Sequence, residues 1–337
     1  MKSQKVFVSG IAGFLGSHVA EWLLKQGHEV LGADDLSGGE MANVPKRARF
    51  FEHDLRDFEK NKKLLKDVDV VFHAAAFAHD GFSLFSPYLI TDNIFSSTQA
   101  LLSAALEQRV RRFVFCSSMS RYGHQNAPLF TEDMTPQPRT PYGHAKLACE
   151  KILENLAEMH GMEWVVCVPH NIIGPRQKFD DPYRNVVAIM INRMLQNKPP
   201  IVYGDGEQKR CFSPVEDILQ VLPELLFGDK ARSQVINVGP DHEFISINQL
   251  VGLINRQLGT DFEPVYTAPR PNEVREANCS CEKAKKLLGY RPTSSLNKSL
   301  VDMVGWISKL GPRPFQYRFD LEIRSPKTPQ TWKERIF

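Results

Sequence analysis

No apolar stretch of this 337-residue chain approaches the roughly 20 consecutive residues that a membrane-spanning helix needs, so a helical membrane protein is excluded. Like charges do not run together either. The 42 basic and 39 acidic residues are mixed along the sequence to a formal net charge of +3, which argues against a dedicated nucleic-acid surface. The six cysteines (Cys116, Cys149, Cys167, Cys211, Cys279, Cys281) include no C-x-x-C pair and have no His partners at zinc spacing. Cys279 and Cys281 are neighbours, but a metal site needs more ligands than two, so reduced, buried thiols and no metal are expected. Met1 to Lys5 leads straight into an apolar strand, without the apolar core and small-residue cleavage site of a secretory signal, and the cytoplasm is the expected compartment. Hydrophobic residues at 42% and charged residues at 24% suggest neither disorder nor a membrane class, and no internal repeat is present.

What is there is an alternation of short β-rich runs with amphipathic helical stretches. Strands are predicted at 5–9, 29–33, 49–52, 68–72, 112–115 and 163–168, with helices near 57–66, 89–107 and 141–159. Leu15, Val19, Trp22 and Leu23 recur at helical spacing before Gly27, which can end that helix in a left-handed cap. The pattern predicts an α/β fold, a Rossmann-type doubly wound parallel sheet over residues 1–175, to which later segments return. From 176 to 310 the pattern is mixed, with helices near 184–196, 215–226, 246–258 and 295–309 and strands at 201–203 and 234–238, as expected of a smaller α/β lobe. Residues 311–337 carry four prolines and read as an extended arm.

Between the first strand and the first helix lies Gly10-Ile11-Ala12-Gly13-Phe14-Leu15-Gly16. Glycines there permit a tight turn and the close approach of a pyrophosphate to backbone N–H groups at a helix N-terminus, which points to a dinucleotide. Asp34, at the end of strand two, stands where a carboxylate accepts from the adenosine ribose hydroxyls; its charge would repel a 2'-phosphate, so NAD is preferred over NADP. A plain turn residue beside Asp35 is the alternative. Asp54 and Leu55 would flank the adenine, and Ala74, Ala75 and Ala76 after His73 offer small residues where the backbone must pass close to the cofactor.

Tyr142 and Lys146, four residues apart in a helical segment, share one face. A phenol is a poor base at neutral pH, but an adjacent ammonium and a positive nicotinamide ring both favour its anion. Tyr-x-x-x-Lys alone is common on solvated helices. Upstream, however, Phe113-Val114-Phe115-Cys116-Ser117-Ser118 is a strand ending in hydroxyls at its carboxyl edge, where such sheets bind ligands.

Together these motifs resemble the extended short-chain dehydrogenase/reductase family, in its NAD-dependent nucleotide-sugar epimerase and dehydratase branch, from Lys5 to about residue 305. The resemblance also takes in Asp34-Asp35-Leu36, Asn93, Ser117 to Gly123, Tyr142-Gly143-His144-Ala145-Lys146, Asn171 to Arg176, Tyr203 to Gln208, Arg210 and Arg270 to Arg275. It implies a catalytic set of Ser118, Tyr142 and Lys146. NAD would be held by Gly10, Gly13, Phe14, Leu15, Gly16, Asp34, Asp54, Leu55, Ala74, Ala75, Ala76, Asn93, Tyr142, Lys146 and Pro169. A nucleotide-diphosphate sugar would be held by Ser118, Ser120, Tyr142, Asn171, Asn185, Tyr203, Arg210, Arg270 and Glu273, the arginines because a pyrophosphate needs charge-assisted donors. UDP is favoured as the nucleotide and a homodimer as the assembly, by resemblance alone. Val168, Arg121 and Cys211 depart from the family pattern, which bears on substrate choice more than on chemistry. Arg184 lies near the substrate loop and could pair with a uronic-acid carboxylate or simply be a solvated helix-start residue.

The residues after Ser118 discriminate among reactions. Similar dehydratases carry an acid/base pair at the positions of Met119 and Ser120, decarboxylases a Glu at the second, and 3,5-epimerases a Cys there; Met119 and Ser120 fit none of these. A 4-epimerase acting through a transient 4-keto sugar needs no such group, with Tyr142 serving as base and then acid. The alternatives are an NAD-dependent nucleotide-sugar dehydratase or reductase and, from another class, a non-catalytic NAD-binding sensor.

Overall fold

A computed structural model of the protein describes residues 2–337. Its first half runs β1 (Lys5–Ser9), α1 (Phe14–Lys25), β2 (Glu29–Asp34), β3 (Arg49–Glu52), α2 (Phe58–Leu64), β4 (Val70–His73), α3 (Pro87–Glu107), β5 (Arg112–Cys116), α4 (Pro141–His160) and β6 (Glu163–Pro169). These strands read as continuous apolar runs because both faces of the sheet are covered, the condition of a parallel sheet between helix layers. Val6 and Val8 face α1 and α6 (Val215–Phe227), packing with Val19, Leu23, Ile218 and Leu222; Phe7, between them, faces α3 and α4 with Phe113, Leu101 and Leu153.

The sheet has seven strands, all parallel, and its order is Gln234–Val238, β6, β5, β4, β1, β2, β3. The chain winds outward through β2 and β3, then returns to the other side of β1 with β4. The strand order therefore reverses between β1 and β4, and the crevice outside their carboxyl ends is where such sheets take ligands. The strand at 234–238, expected in the smaller lobe, instead completes this sheet beside β6, registering Ile236 on Cys167. Its apolar pattern gives a strand, but a parallel partner some seventy positions upstream cannot be read from local spacing.

α1 begins at Gly13 with no side-chain cap, which leaves its first N–H groups open, and the chain leaves it through Gly27 at φ +83°. α4 begins differently: the Thr140 side chain accepts from Gly143 N–H and Pro141 supplies a preset first turn. A further apolar cluster lies between α5 (Val186–Leu195), α7 (Ile247–Leu258) and α9 (Leu296–Leu310), with Val202 and Phe212 inside it; the short α8 (Glu282–Leu288) packs near the edge strand.

Residues 311–329 of the arm contain no helix or strand, and the chain then makes one turn, α10 (Gln330–Lys333). The arm is tied to the body rather than loose. Ile323 N–H donates to the Phe85 carbonyl at 2.8 Å, and the Glu322 carboxylate accepts from Tyr88 and Leu89 N–H at 2.9 and 2.7 Å, supplying the anionic cap that α3 lacks in its own sequence. Trp332, 4% exposed, packs edge-on against Phe82, Phe85 and Tyr183. Trp332→Ala is expected to lower the unfolding free energy by about 3 kcal/mol, read from urea denaturation; unchanged stability would mean that the arm does not pack in solution.

Candidate active site

The glycine-rich turn is built by close approach. Gly10 has φ +69°, and a Cβ there would lie 3.0 Å from the Ala75 backbone; a Cβ on Gly16 would lie 2.1 Å from the Gly10 carbonyl oxygen. Beside it, the Ser9 hydroxyl accepts from Ala74 and Ala75 N–H at 3.0 and 3.1 Å and pairs with His73 Nδ1 at 2.6 Å. Burial pushes the His73 imidazole down to about 3, so the ring is neutral. Its Nδ1 accepts the Ser9 proton and its Nε2 donates to Thr98, whose hydroxyl passes on to the Ile94 carbonyl. A chain of fixed dipoles thus holds the Ala74–Ala75 backbone against the turn.

Asp34 is buried, and accepts from Ala12 N–H at 3.1 Å and Leu36 N–H at 2.9 Å; desolvation raises its pKa and these bonds oppose the rise. Asp54 is held by Arg56 at 2.7 Å, which keeps its carboxyl below the usual range. Asn93 Oδ1 accepts from Phe77 N–H at 2.9 Å, so it braces the loop after β4.

Tyr142 sits in the first turn of α4, its N–H donating to Ser83 Oγ at 3.1 Å. The Ser118 hydroxyl, which donates to Ser120 Oγ at 3.2 Å, lies beside the phenol; burial, opposed by Ser118, holds the phenol above its ordinary range. The Lys146 ammonium donates to the Cys116 carbonyl at 2.9 Å and lies over the Tyr142 ring, 6.0 Å from its centre. Burial lowers the Lys146 pKa in turn. Of the two cations expected to favour the phenolate, the sheet edge holds the ammonium near the phenol, and the other is the nicotinamide ring.

On the opposite wall, Glu273 Oε1 binds Arg270 at 2.7 Å and Arg210 at 3.4 Å, and the Arg270 guanidinium lies over Tyr203, 5.1 Å from its ring centre. Two cations share one carboxylate, so the wall keeps a positive charge. Asn185 caps α5 through Oδ1, accepting from Val187 N–H, and Asn171 donates to the Cys211 carbonyl at 3.0 Å. Every site residue singled out from the sequence lines one cavity of about 540 Å³, from Gly10, Phe14, Leu15, Asp54 and Leu55 at one end, past Ala76 and Pro169, to Ser120, Asn171, Asn185 and Arg270 at the other.

The departures Arg121, Val168 and Cys211 lie behind this wall: Arg121 is buried against Glu150 of α4 at 3.0 Å, Val168 is a core residue of β6, and Cys211 donates to the Pro240 carbonyl at 2.9 Å. Arg184 pairs with Asp181 at 3.4 Å and its Nη2 lies against Gly38; it lines the cavity, and its charge acts on the Tyr142 phenol. Asp80, Thr140, Trp332 and Phe337 also line the cavity and were not anticipated. An Ala-rich loop and a proline-rich tail carry no periodicity that would have found them. Among the described residues, no His/Cys/Asp/Glu group suits a metal ion.

Residues 6–239 match the model of the NAD dependent epimerase/dehydratase family. A UDP-glucose 4-epimerase of Mycolicibacterium smegmatis is 30% identical over 310 residues, covering 89% of this chain and 97% of the relative. The crystal structure of a UDP-glucose 4-epimerase from Thermotoga maritima with UDP-glucose superposes with a TM-score of 0.85 at 33% identity, over 91% of this chain and 99% of that one. The UDP-glucuronic acid 4-epimerase of Bacillus cereus, in complex with UDP-glucuronic acid and NAD, gives 0.84 at 29%, over 91% and 100%.

Because a Cβ at position 16 has no room beside the Gly10 carbonyl, Gly16→Ala is expected to displace the turn and sharply reduce the dinucleotide retained on purification. Absorbance of the cofactor released by denaturation reads this directly; full retention would show the cradle to be pliable.

Proposed function

Because the chain belongs to the NAD-dependent epimerase/dehydratase family and is an NAD-dependent enzyme, we propose that it interconverts nucleotide sugars as a 4-epimerase through a transient 4-keto sugar, with a UDP-sugar as favoured substrate. The observation that carries this reading is convergence: Ser118, Tyr142, Lys146, the glycine turn and the Arg210–Arg270 wall face one cavity, while positions 119 and 120 offer Met and Ser instead of an acid/base pair. The cavity fits the cofactor, since Gly10 and Gly16 leave a cradle that any Cβ would fill, the N-terminus of α1 is uncapped, and Asp34 borders the same space. When bound, NAD supplies a reversible hydride acceptor.

The protein's own part is proton transfer and restraint. The Tyr142 oxygen takes the proton of the C4 hydroxyl as that carbon is oxidised and returns it when the carbon is reduced from the other face. Ser118 donates to the same substrate oxygen, and Lys146 fixes the first turns of α4 against β5 by its bond to the Cys116 carbonyl. Arg210 and Arg270 grip the diphosphate while the sugar, held by uncharged groups such as Ser120, is free to turn. Asn171, Asn185 and Tyr203 complete the nucleotide side, and Asn93 and Pro169 the nicotinamide side.

In this reading residues 1–175 are the NAD domain, joined by the returning strand at 234–238; 176–310 are mainly the nucleotide-sugar lobe, and 311–337 the arm. The enzyme is cytoplasmic; among the described residues no helix is long and apolar enough to cross a membrane. It is a homodimer through α3 and α4, which pack side by side and expose Tyr88, Phe95 and Met159. A dehydratase is the second reading, favoured by one observation, the Asp80 carboxylate in the same cavity.

Mass spectrometry across UDP-, GDP-, CDP- and dTDP-sugars tests the reaction: an isomer of equal mass, without net absorbance change at the NADH wavelength, is expected, and loss of water would select the dehydratase. Tyr142→Phe is expected to slow isomer formation on the order of 10²–10⁴-fold with substrate binding retained; unchanged turnover would revive a sensor role. Arg210→Met is expected to raise KM more than it lowers kcat, because its contact is the same in ground and transition states; a selective fall in kcat would place Arg210 in the chemistry instead.

A further inference from the structure

Asp80 is the one feature of the cavity that the proposed 4-epimerase chemistry does not use. It follows the Ala74–Ala78 segment at the start of a short 3-10 turn, Gly81–Leu84, and its side chain is exposed to the cavity. Thr140 Oγ1 donates to Asp80 Oδ1 at 2.5 Å, and Thr140 is itself fixed by accepting from Gly143 N–H at 3.1 Å. The carboxylate is thereby anchored to the first turn of the helix that carries Tyr142, and its charge acts on the Tyr142 phenol. One oxygen is taken by Thr140 and the Ser120 hydroxyl also bonds the carboxylate, whose remaining lone pairs face the cavity.

No cation neutralises it. Among the described residues Asp80 forms no salt bridge, and the nearest arginines, Arg270 and Arg210, are drawn to Glu273 at 2.7 and 3.4 Å. Once a diphosphate occupies those arginines, the Asp80 corner is electronegative. The arm walls this corner: a Cβ on Gly81 would lie 3.7 Å from Trp332 and 3.8 Å from Arg270. At Asp80 a ligand carboxylate meets a like charge, whereas a hydroxyl or ammonium meets an acceptor.

We propose that Asp80 selects the sugar: the cavity accepts nucleotide sugars that present a hydroxyl or ammonium group to Asp80 and rejects those whose ring bears a carboxylate. This deepens and rests on the nucleotide-sugar reading. It also gives Asp80 a recognition role and not that of an acid for elimination.

Calorimetric titration of the NAD-loaded enzyme with UDP, UDP-glucose, UDP-glucosamine with its free amine, and UDP-glucuronate at one ionic strength tests it. UDP-glucuronate is expected to bind at least about tenfold more weakly than UDP-glucose, and Asp80→Asn to close that gap by about tenfold with the affinity for UDP itself unchanged. Asp80→Glu, which keeps the charge, is expected to keep the gap. A stronger binding of UDP-glucosamine than of UDP-glucose, lost in Asp80→Asn, would identify an ammonium as the partner; equal binding would identify a hydroxyl. Equal affinity of the wild-type enzyme for UDP-glucose and UDP-glucuronate overturns the proposal without any variant, as does a gap that persists in Asp80→Asn, and loss of water during turnover overturns the recognition role. If UDP and UDP-glucose bind and the gap is absent, the inference about Asp80 alone falls. If UDP itself does not bind, the UDP-sugar reading falls and takes this one with it.

Discussion

A buried hydrogen bond from the Lys146 ammonium to the Cys116 carbonyl ties α4 to the carboxyl edge of β5, and the cleft is organised around that tie. Helical spacing puts Tyr142 one turn before Lys146 on the same face, so fixing the lysine fixes the phenol. Thr140 completes the arrangement by capping the same helix and holding Asp80 with the same hydroxyl oxygen. The same bond holds the ammonium 6.0 Å from the Tyr142 ring centre, while burial holds the phenol above its ordinary range. In the proposed proton transfer the ammonium and a bound, positive nicotinamide ring would together favour the phenolate.

The electrostatic plan of the cavity is divided. One wall carries two arginines on a single glutamate, a net positive surface suited to an anchored diphosphate; beside Arg270, Asp80 carries a carboxylate that forms no salt bridge among the described residues. Between them the side chains next to the reacting position are a serine, a methionine and a tyrosine, without a fixed charge. Such a division suits a ligand held tightly at one end and loosely at the other. The arm closes the space through Trp332 and Phe337 and pins itself by capping α3 with Glu322, so the wall it adds is as fixed as the helix it caps.

Much of this was legible because the chemistry depends on short-range spacing. Glycines at 10, 13 and 16, an acid at 34, hydroxyls after a strand and a tyrosine four residues before a lysine each sit within one turn or one strand end, and each lines the cavity. The boundaries of most elements followed for the same reason, since period and caps are local. What was not legible depends on distance in the chain. The partner of the strand at 234–238, the placement of Arg184 against Gly38 and the docking of Trp332 on Phe82 all join segments far apart in sequence. Asp80 was hidden differently: its residue type is ordinary for a loop, and only the cavity around it gives it meaning. The orientation of Lys146 belongs to the same class, because a carbonyl on a neighbouring strand decides it.

The central claim is that hydride leaves and returns to one ring carbon while Tyr142 moves the proton. Turnover of a nucleotide sugar carrying deuterium at C4 tests this most directly. The account predicts that the isomeric product keeps the label at C4, undiluted by solvent hydrogen. Loss of the label to water, or its appearance at another carbon, would contradict it.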